Sequence, residues 1–149
     1  GHFPPLAKPE PLVAAETLLQ LPARLRAGQE TFDTTGGLHA AGLFDADGKL
    51  LTLREDIGRH NAVDKALGRS MLDGDFPLEA RVLMVSGRAS FEILQKALAG
   101  RVPVVCAVSA PSSLAVEFAH ESGQTLVGFL RGNTFNVYSH PERIMGFGG

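Results

Sequence analysis

The chain has 149 residues, 44% hydrophobic and 20% charged, which is typical of one globular domain with its own core. The formal net charge of −2 provides no global basic field, so we expect no nucleic-acid partner and look for anion recognition in a local cluster. No apolar run approaches the roughly 20 residues that span a bilayer, and the single cysteine excludes an intrachain disulfide, so we expect a cytoplasmic protein without a membrane partner.

The N-terminal part is predicted to be a linker followed by a helix. Gly1 and His2 are interpreted as a tag remnant, and residues 3–11 hold four of the nine prolines, which suit neither a helix nor a central strand. Residues 1–11 are therefore predicted to be an extended linker, and residues 12–149 the domain. Apolar spacing predicts a helix over residues 12–26, which Pro22 is expected to interrupt.

The rest of the chain alternates between strand and helix patterns. Strands are predicted over residues 38–44 and 49–53, joined by the hairpin signal Asp45-Ala46-Asp47-Gly48, with further strands over 81–86, 102–108, 125–130 and 134–138. Helices are predicted over 61–71, 90–99 and 112–122. Such alternation implies right-handed crossovers, so the fold class is α/β: a three-layer α/β/α sandwich with a mixed, mostly parallel sheet.

Ligands of such sheets bind beyond the carboxyl ends of the strands, which directs attention to two similar turns. Ser86-Gly87-Arg88-Ala89-Ser90 and Ser109-Ala110-Pro111-Ser112 each follow a strand and supply a hydroxyl at a helix start. One interpretation is simple N-capping. The other is an anion site, because helix starts bind phosphate and carboxylate. Two such turns at one sheet edge favour a binding crevice.

Three further segments at strand ends offer polar groups. In Arg54–Lys65, read as REDIGRHNAVDK, Arg59 and His60 either belong to a solvated helix start or face a ligand. His39 either bonds the backbone or marks the floor of a pocket. The segment after the third parallel strand is either a tight turn or a phosphate or base contact. It consists of Phe129, Leu130, Arg131, Gly132, Asn133 and Thr134.

Catalytic and metal chemistry find little support. The five histidines show no i,i+4 pair, and G-x-S-x-G is absent. Cys106 lies in an apolar run and is predicted to be a buried thiol rather than a nucleophile. We therefore expect no metal site and no catalytic residue in this chain.

Five motifs, in order, resemble the FdhD/NarQ family of formate dehydrogenase accessory sulfurtransferases. The resemblance covers residues 35–143 and rests on Thr35-Gly36-Gly37-Leu38-His39-Ala40-Ala41, Arg54–Lys65, Ser86–Glu92 with Gln95-Lys96, Val108–Val116 and Leu126–Phe129. It implies a sulfur carrier that passes sulfur from a cysteine desulfurase to the molybdenum cofactor, bis-molybdopterin guanine dinucleotide, before its insertion into formate dehydrogenase. A homodimer and a cytidine deaminase-like fold are implied as well.

The family carries its persulfide on a C-x-x-C loop, and this sequence has none. The resemblance therefore implies a C-terminal domain fragment that lacks sulfur transfer activity and binds the guanine nucleotide part of the cofactor, with GDP as a mimic. The family's cofactor segment falls on Phe129 to Thr134, and the other expected contacts are His39, Arg59, His60, Arg88 and Ser109. The alternative function is a non-catalytic module for dimerisation and for docking to the dehydrogenase or the desulfurase, which would need an exposed apolar patch.

Overall fold

The computed structural model describes residues 3–31 and 39–146. The first residues of the Thr35–Ala41 motif lie outside these ranges. The helices are α1 (Ala15–Thr31), α2 (Arg59–Leu72), α3 (Phe91–Ala99) and α4 (Ser113–Ser122). The strands are β1 (Val13–Ala14), β2 (His39–Phe44), β3 (Leu50–Asp56), β4 (Val82–Val85), β5 (Val104–Ala107), β6 (Thr125–Arg131), β7 (Thr134–Ser139) and β8 (Ile144–Met145).

Six of these strands form one mixed sheet with the order β3-β2-β4-β5-β6-β7. The β4–β5 and β5–β6 pairs are parallel, while β2 runs antiparallel to both of its neighbours and β7 runs antiparallel to β6. β3, β4, β5 and β6 therefore point in one direction. The predicted mixed sheet, its opening hairpin and its last edge strand are confirmed.

Both faces of the sheet are covered, which confirms the three layers. Successive strand residues point to opposite faces. Leu83 and Val85 pack with α2, α3 and α4, whereas Val82 and Met84 pack with α1. This is why the central strands consist almost entirely of valine, leucine and methionine. The resemblance to cytidine deaminases stays a prediction.

Helix α1 differs from its prediction, because it runs through Pro22 without a break and ends at Thr31. A proline inside a helix removes one backbone hydrogen bond and costs about 3 kcal/mol. Leu18, Leu21 and Leu25 are buried against the sheet on the same helix, and this packing holds the helical path. Tertiary burial thus overrides the local signal.

The N-terminal strap, defined as residues 3–12, lies against the domain in an extended path. The Leu6 N–H donates to the Ser122 carbonyl at 2.7 Å. β1 then pairs in parallel with β8, a two-stranded sheet that the sequence pattern did not predict. Within the described ranges, no helix combines the length and apolar character needed to cross a membrane.

Candidate functional site at the carboxyl edge of the sheet

One edge of the sheet gathers nearly all of the predicted site residues. We call it the carboxyl edge: β3, β4, β5 and β6 end there, and β2 and β7 begin there. His39 is the first residue of β2, and Arg59 opens α2 just after β3. Because this is where ligands of α/β sheets bind, the topology puts the predicted residues at the expected place.

The start of α2 is built for negative charge. The Asp56 carboxylate accepts from the Gly58 N–H at 2.9 Å, but no side chain caps the helix from Gly58 itself. The first turn carries Arg59 and His60 and no acidic residue, although helix starts favour carboxylates there. His39 and residues 57–61 line an open cavity of about 390 Å³ at this point.

The Asp56 side chain is ionised and holds this loop through hydrogen bonds. Hydrogen bonds from the Lys65 ammonium and from the Gly58 N–H lower the pKa of Asp56 to about 2. The Lys65 Nζ lies 2.6 Å from Asp56 Oδ2. The carboxylate is thus fully occupied by the loop and by Lys65, which leaves the cations of the first turn unneutralised by it.

The two similar turns lie side by side, as predicted. The Ser112 N–H donates to the Ala89 carbonyl at 3.0 Å, and Ala89 and Pro111 form a parallel bridge. Ser90 and Ser112 are the N-caps of α3 and α4 and accept from Ile93 and Ala115 backbone N–H groups. The N-capping interpretation is therefore confirmed for both turns, whereas a binding crevice beside them stays a prediction.

His60 makes a contact that the sequence pattern did not reveal. Its Nε2 lies 2.9 Å from Ser90 Oγ, so the first turn of α2 is joined to the cap of α3. Asp64, on the same helix as His60, is occupied instead by Lys96 at 2.8 Å. A repeated serine in the two turns was the only sequence signal that pointed to Ser90.

The Phe129–Thr134 segment, which spans the end of β6 and the turn to β7, divides into a buried and an exposed part. Leu130 is fully buried in the core, so it does not reach the carboxyl edge. Phe129 has a left-handed backbone with φ of 52°, and its N–H donates to the Ser109 carbonyl at 3.2 Å. The Arg131 guanidinium lies over the Phe129 ring, 5.2 Å from its centroid. Gly132, Asn133 and Thr134 are exposed.

Three guanidinium groups at this edge have no acidic partner within the described residues: Arg59, Arg88 and Arg131. Arg59 and Arg88 lie in segments that follow β3 and β4, and Arg131 is the last residue of β6. His39 lies close to the second of these segments, since a Cβ built on Gly87 would be 3.5 Å from its Nδ1. A chain with a net charge of −2 therefore presents, among its described residues, three arginines without an ion pair along one edge.

The predicted residues form a line rather than one pocket. His39, Arg59 and His60 lie at the β3–β2 end, Arg88 and Ser109 follow β4 and β5, and the Phe129–Thr134 segment lies at the β6–β7 end. With strands about 4.8 Å apart, β2 and β6 are separated by about 14 Å. A ligand that contacts both ends must be extended.

The cysteine of the chain lies inside the core. Cys106 is fully buried within β5, and burial raises the pKa of its thiol to about 12. Its prediction as a buried core thiol is confirmed. Among residues 3–31 and 39–146, no three histidine, cysteine or carboxylate side chains gather in a way that could hold a metal ion.

Comparison with known proteins now places the chain. The sequence model described as the FdhD/NarQ family matches residues 3–145. The chain belongs to the FdhD/NarQ family. Two FdhD/NarQ relatives are named Sulfur carrier protein FdhD. The protein from Streptomyces coelicolor is 59% identical over 94% of this chain and 50% of its own length. The one from Streptomyces avermitilis is 62% identical over 87% of this chain and 46% of its own length.

A solved FdhD/NarQ-like structure supports the fold. The crystal structure of a protein from Desulfotalea psychrophila, described as a formate dehydrogenase accessory protein, superposes with a TM-score of 0.83 at 30% identity. It covers 97% of this chain and 59% of that one. The present chain spans about half the length of the curated FdhD/NarQ relatives that it matches.

Proposed function

We propose that this chain is the cofactor-binding part of a sulfur carrier protein that serves formate dehydrogenase. In this proposal the carboxyl edge holds the guanine nucleotide part of bis-molybdopterin guanine dinucleotide. The whole protein passes sulfur from a cysteine desulfurase to that cofactor, and it does so as a homodimer in the cytoplasm. The names of the relatives and of the solved structure support the sulfur carrier and accessory roles.

The observation that carries the nucleotide proposal is a row of three cations along one sheet edge, Arg59, Arg88 and Arg131, without acidic partners in the part of the chain that the structure describes. Guanidinium groups bind phosphate oxygens with two parallel hydrogen bonds, and free N–H groups at a helix start add to this. Phe129, with Arg131 beside it, offers a surface on which a base can stack. An extended dinucleotide matches a row better than a compact anion would.

Sulfur itself is not carried by Cys106 in this proposal. A persulfide forms on an accessible thiolate, and the Cys106 thiol is enclosed on all sides in β5. The cysteine that carries sulfur then belongs to the part of the longer relatives that this chain does not match. The cofactor supplies the molybdenum centre that receives the sulfur, and the residues of the carboxyl edge bind and orient its nucleotide.

Calorimetric titration of the chain with GDP tests the nucleotide site. We expect saturable binding that Arg131→Ala weakens about tenfold, since a charge-assisted hydrogen bond contributes about 1.5–3 kcal/mol. Arg69→Ala is the matched control, because Arg69 is an exposed arginine at the far end of α2, paired with Asp73. Equal affinity of both variants, or no saturable heat at millimolar GDP, would reject the site.

A second candidate function, a docking module, is favoured by one observation. A groove of about 580 Å³ lies between α3 and α4. Its apolar lining is Phe3, Phe91, Leu98, Ala99 and Phe118, and Gln95, Lys96 and Glu121 line it as well. Phe91 and Phe118 meet edge to face at 5.2 Å. Absence of GDP binding, together with loss of dehydrogenase association in Phe118→Ser, would favour this function over the first.

A further inference from the structure

We propose that His60 is a positioning residue whose protonation state sets the anion affinity of the carboxyl edge through the Ser90 hydroxyl. The inference rests on the nucleotide site proposed above and deepens it. It assigns to His60 a role that differs from direct contact with the ligand.

The geometry commits the imidazole to the neighbouring helix. His60 Nε2 and Ser90 Oγ are 2.9 Å apart, and the same oxygen accepts from the Ile93 N–H at 3.4 Å. Ser112 is the matched case at the next turn: its oxygen accepts from Ala115 at 3.1 Å and has no imidazole partner among the described residues. The two caps therefore differ by one histidine.

The histidine beside Ser90 changes how many hydrogen-bond donors this cap can offer to a ligand. A serine hydroxyl carries one proton to donate and can accept as well. In this proposal the neutral His60 imidazole is the tautomer that carries its proton on Nδ1, so that Nε2 is bare. The Ser90 O–H then donates to Nε2, and the cap has no donor left for a ligand. When the imidazole is protonated, Nε2–H donates to Ser90 Oγ, and the hydroxyl proton turns free to meet a ligand oxygen. Protonation thus adds one donor and one positive charge at the edge.

The charged groups around His60 leave this effect uncancelled. From β3, the Asp56 carboxylate is occupied by Lys65, and on α2 the Asp64 carboxylate is occupied by Lys96 of α3. The other ionisable groups of these elements and of the segments beside them are Arg54 and Glu55 on β3, Arg59 and Arg69 on α2, His39 on β2, Arg88 after β4, and the exposed Glu92 in the first turn of α3. His39 lines the same cavity and is the other group there that can gain a proton, so the test must separate the two.

The test compares GDP affinity by calorimetry from pH 5.5 to pH 8.5. His60→Gln keeps an amide that can bond Ser90 but does not titrate, and comparison at each pH cancels protonation of GDP itself. We expect the ratio of wild-type to variant affinity to rise about threefold to tenfold towards acid pH. His39→Gln should leave most of that rise intact. Parallel pH profiles of wild type and His60→Gln would overturn the proposal.

The two caps provide the second arm. Ser90→Ala should reduce the pH dependence of GDP affinity, whereas Ser112→Ala should leave it unchanged, although each variant loses one helix cap. An equal effect of both substitutions would mean that cap loss alone is responsible, which rejects the role of His60.

A third arm needs no nucleotide. In urea unfolding, the effects of His60→Ala and Ser90→Ala should be non-additive, and those of His60→Ala and Ser112→Ala additive. Additivity in both pairs would overturn the proposal. If wild type binds no GDP at any pH, the nucleotide function fails, and inorganic pyrophosphate becomes the probe of the pH comparison. Absence of pyrophosphate binding would overturn the role of His60 too.

Discussion

At the amino edge of the sheet, where the parallel strands begin, Arg143 and Arg101 are occupied by backbone carbonyl groups. At the carboxyl edge, Arg59, Arg88 and Arg131 have no acidic partner within the described ranges. Arg143 is only 2% exposed and donates to the carbonyls of Lys8, Glu10 and Gly123 and to the Thr125 hydroxyl. Arg101 donates to the Pro4 carbonyl at 2.6 Å and so holds the strap as well.

The hydrogen-bond partners of an arginine indicate whether its role is structural or in binding. A buried guanidinium must satisfy its donors inside the protein, and its cost is offset only when it does so. Burial also lowers the pKa of Arg143, although the nearby Glu142 carboxylate opposes that shift. An arginine at the surface without acceptors keeps all of its donors for a ligand. The amino edge is therefore structural, and the carboxyl edge is available for binding.

The largest effect is expected from Arg143→Leu, which leaves the buried Gly123 carbonyl and Thr125 hydroxyl, and the partly buried Lys8 and Glu10 carbonyls, without this donor. Loss of a buried charged hydrogen-bond network costs about 3–5 kcal/mol. Urea unfolding should show this loss, while Arg69→Leu should stay within about 0.5 kcal/mol of wild type. A cost below about 1 kcal/mol would mean that the strap is held by other contacts.

Two glycines with positive φ sharpen the comparison. A Cβ on Gly123, at the amino edge, would lie 2.0 Å from the Leu6 carbonyl oxygen of the strap, whereas Gly132, at the carboxyl edge, has open space around it. Gly132→Ala should cost about 1–2 kcal/mol from backbone strain alone. Gly123→Ala should cost more, because the strap backbone must move. Equal unfolding midpoints of the two variants would contradict the tight seating of the strap.

Measuring both GDP affinity and stability for one arginine at each edge tests the same comparison. Arg88→Ala should weaken GDP binding about threefold to tenfold and leave stability within about 0.5 kcal/mol. Arg101→Ala should lower the stability and leave GDP affinity unchanged, because the Arg101 guanidinium donates to the Pro4 and Pro5 carbonyls. Calorimetry and thermal unfolding of both variants give the four numbers. A stability loss in Arg88→Ala would show an internal partner at the carboxyl edge.

The smallest effect concerns pH and the loop before α2. Since the pKa of Asp56 is lowered from 3.8 to about 2 by Lys65 and the Gly58 N–H, the unfolded state binds the proton more tightly. The ionised Asp56 carboxylate therefore stabilises the folded state above about pH 4, and this stabilisation is lost as the pH falls towards 2. Asp56→Asn should flatten the unfolding free energy over this window. An unchanged slope would show that the carboxylate is not held as the structure has it.

Much of the fold could be predicted because its signals are local. Apolar runs separated by helical stripes gave the central strands, and Asp45-Ala46-Asp47-Gly48 gave the hairpin. The same signals failed for α1, where buried leucines carry the helix through Pro22, and for the β1–β8 pair. That pair joins residues about 130 positions apart in sequence. No local pattern around Val13 or Ile144 indicates that they are partners.

The candidate site divides in the same way. The positions of Arg59, Arg88, Ser109 and Arg131 after predicted strands indicated that they would meet one edge, because the carboxyl ends of parallel strands lie together. The functional roles of these residues stay predictions. Leu130 shows the limit of a contiguous motif: an irregularity of β6 between Gly128 and Arg131 turns it into the core beside Val127, while Arg131 reaches the surface.

Residue types, their spacing and the alternation of strands and helices were enough for the three layers and for the edge where a ligand would bind, since each depends on neighbours in the chain. Partners were decided by the folded chain. Ser90 reaches His60 across 30 residues, and Arg143 reaches the Lys8 carbonyl across 135. Whether an arginine bonds within the protein or is free to bind a ligand depends on the acceptors that folding brings close to it. No local sequence pattern encodes those acceptors.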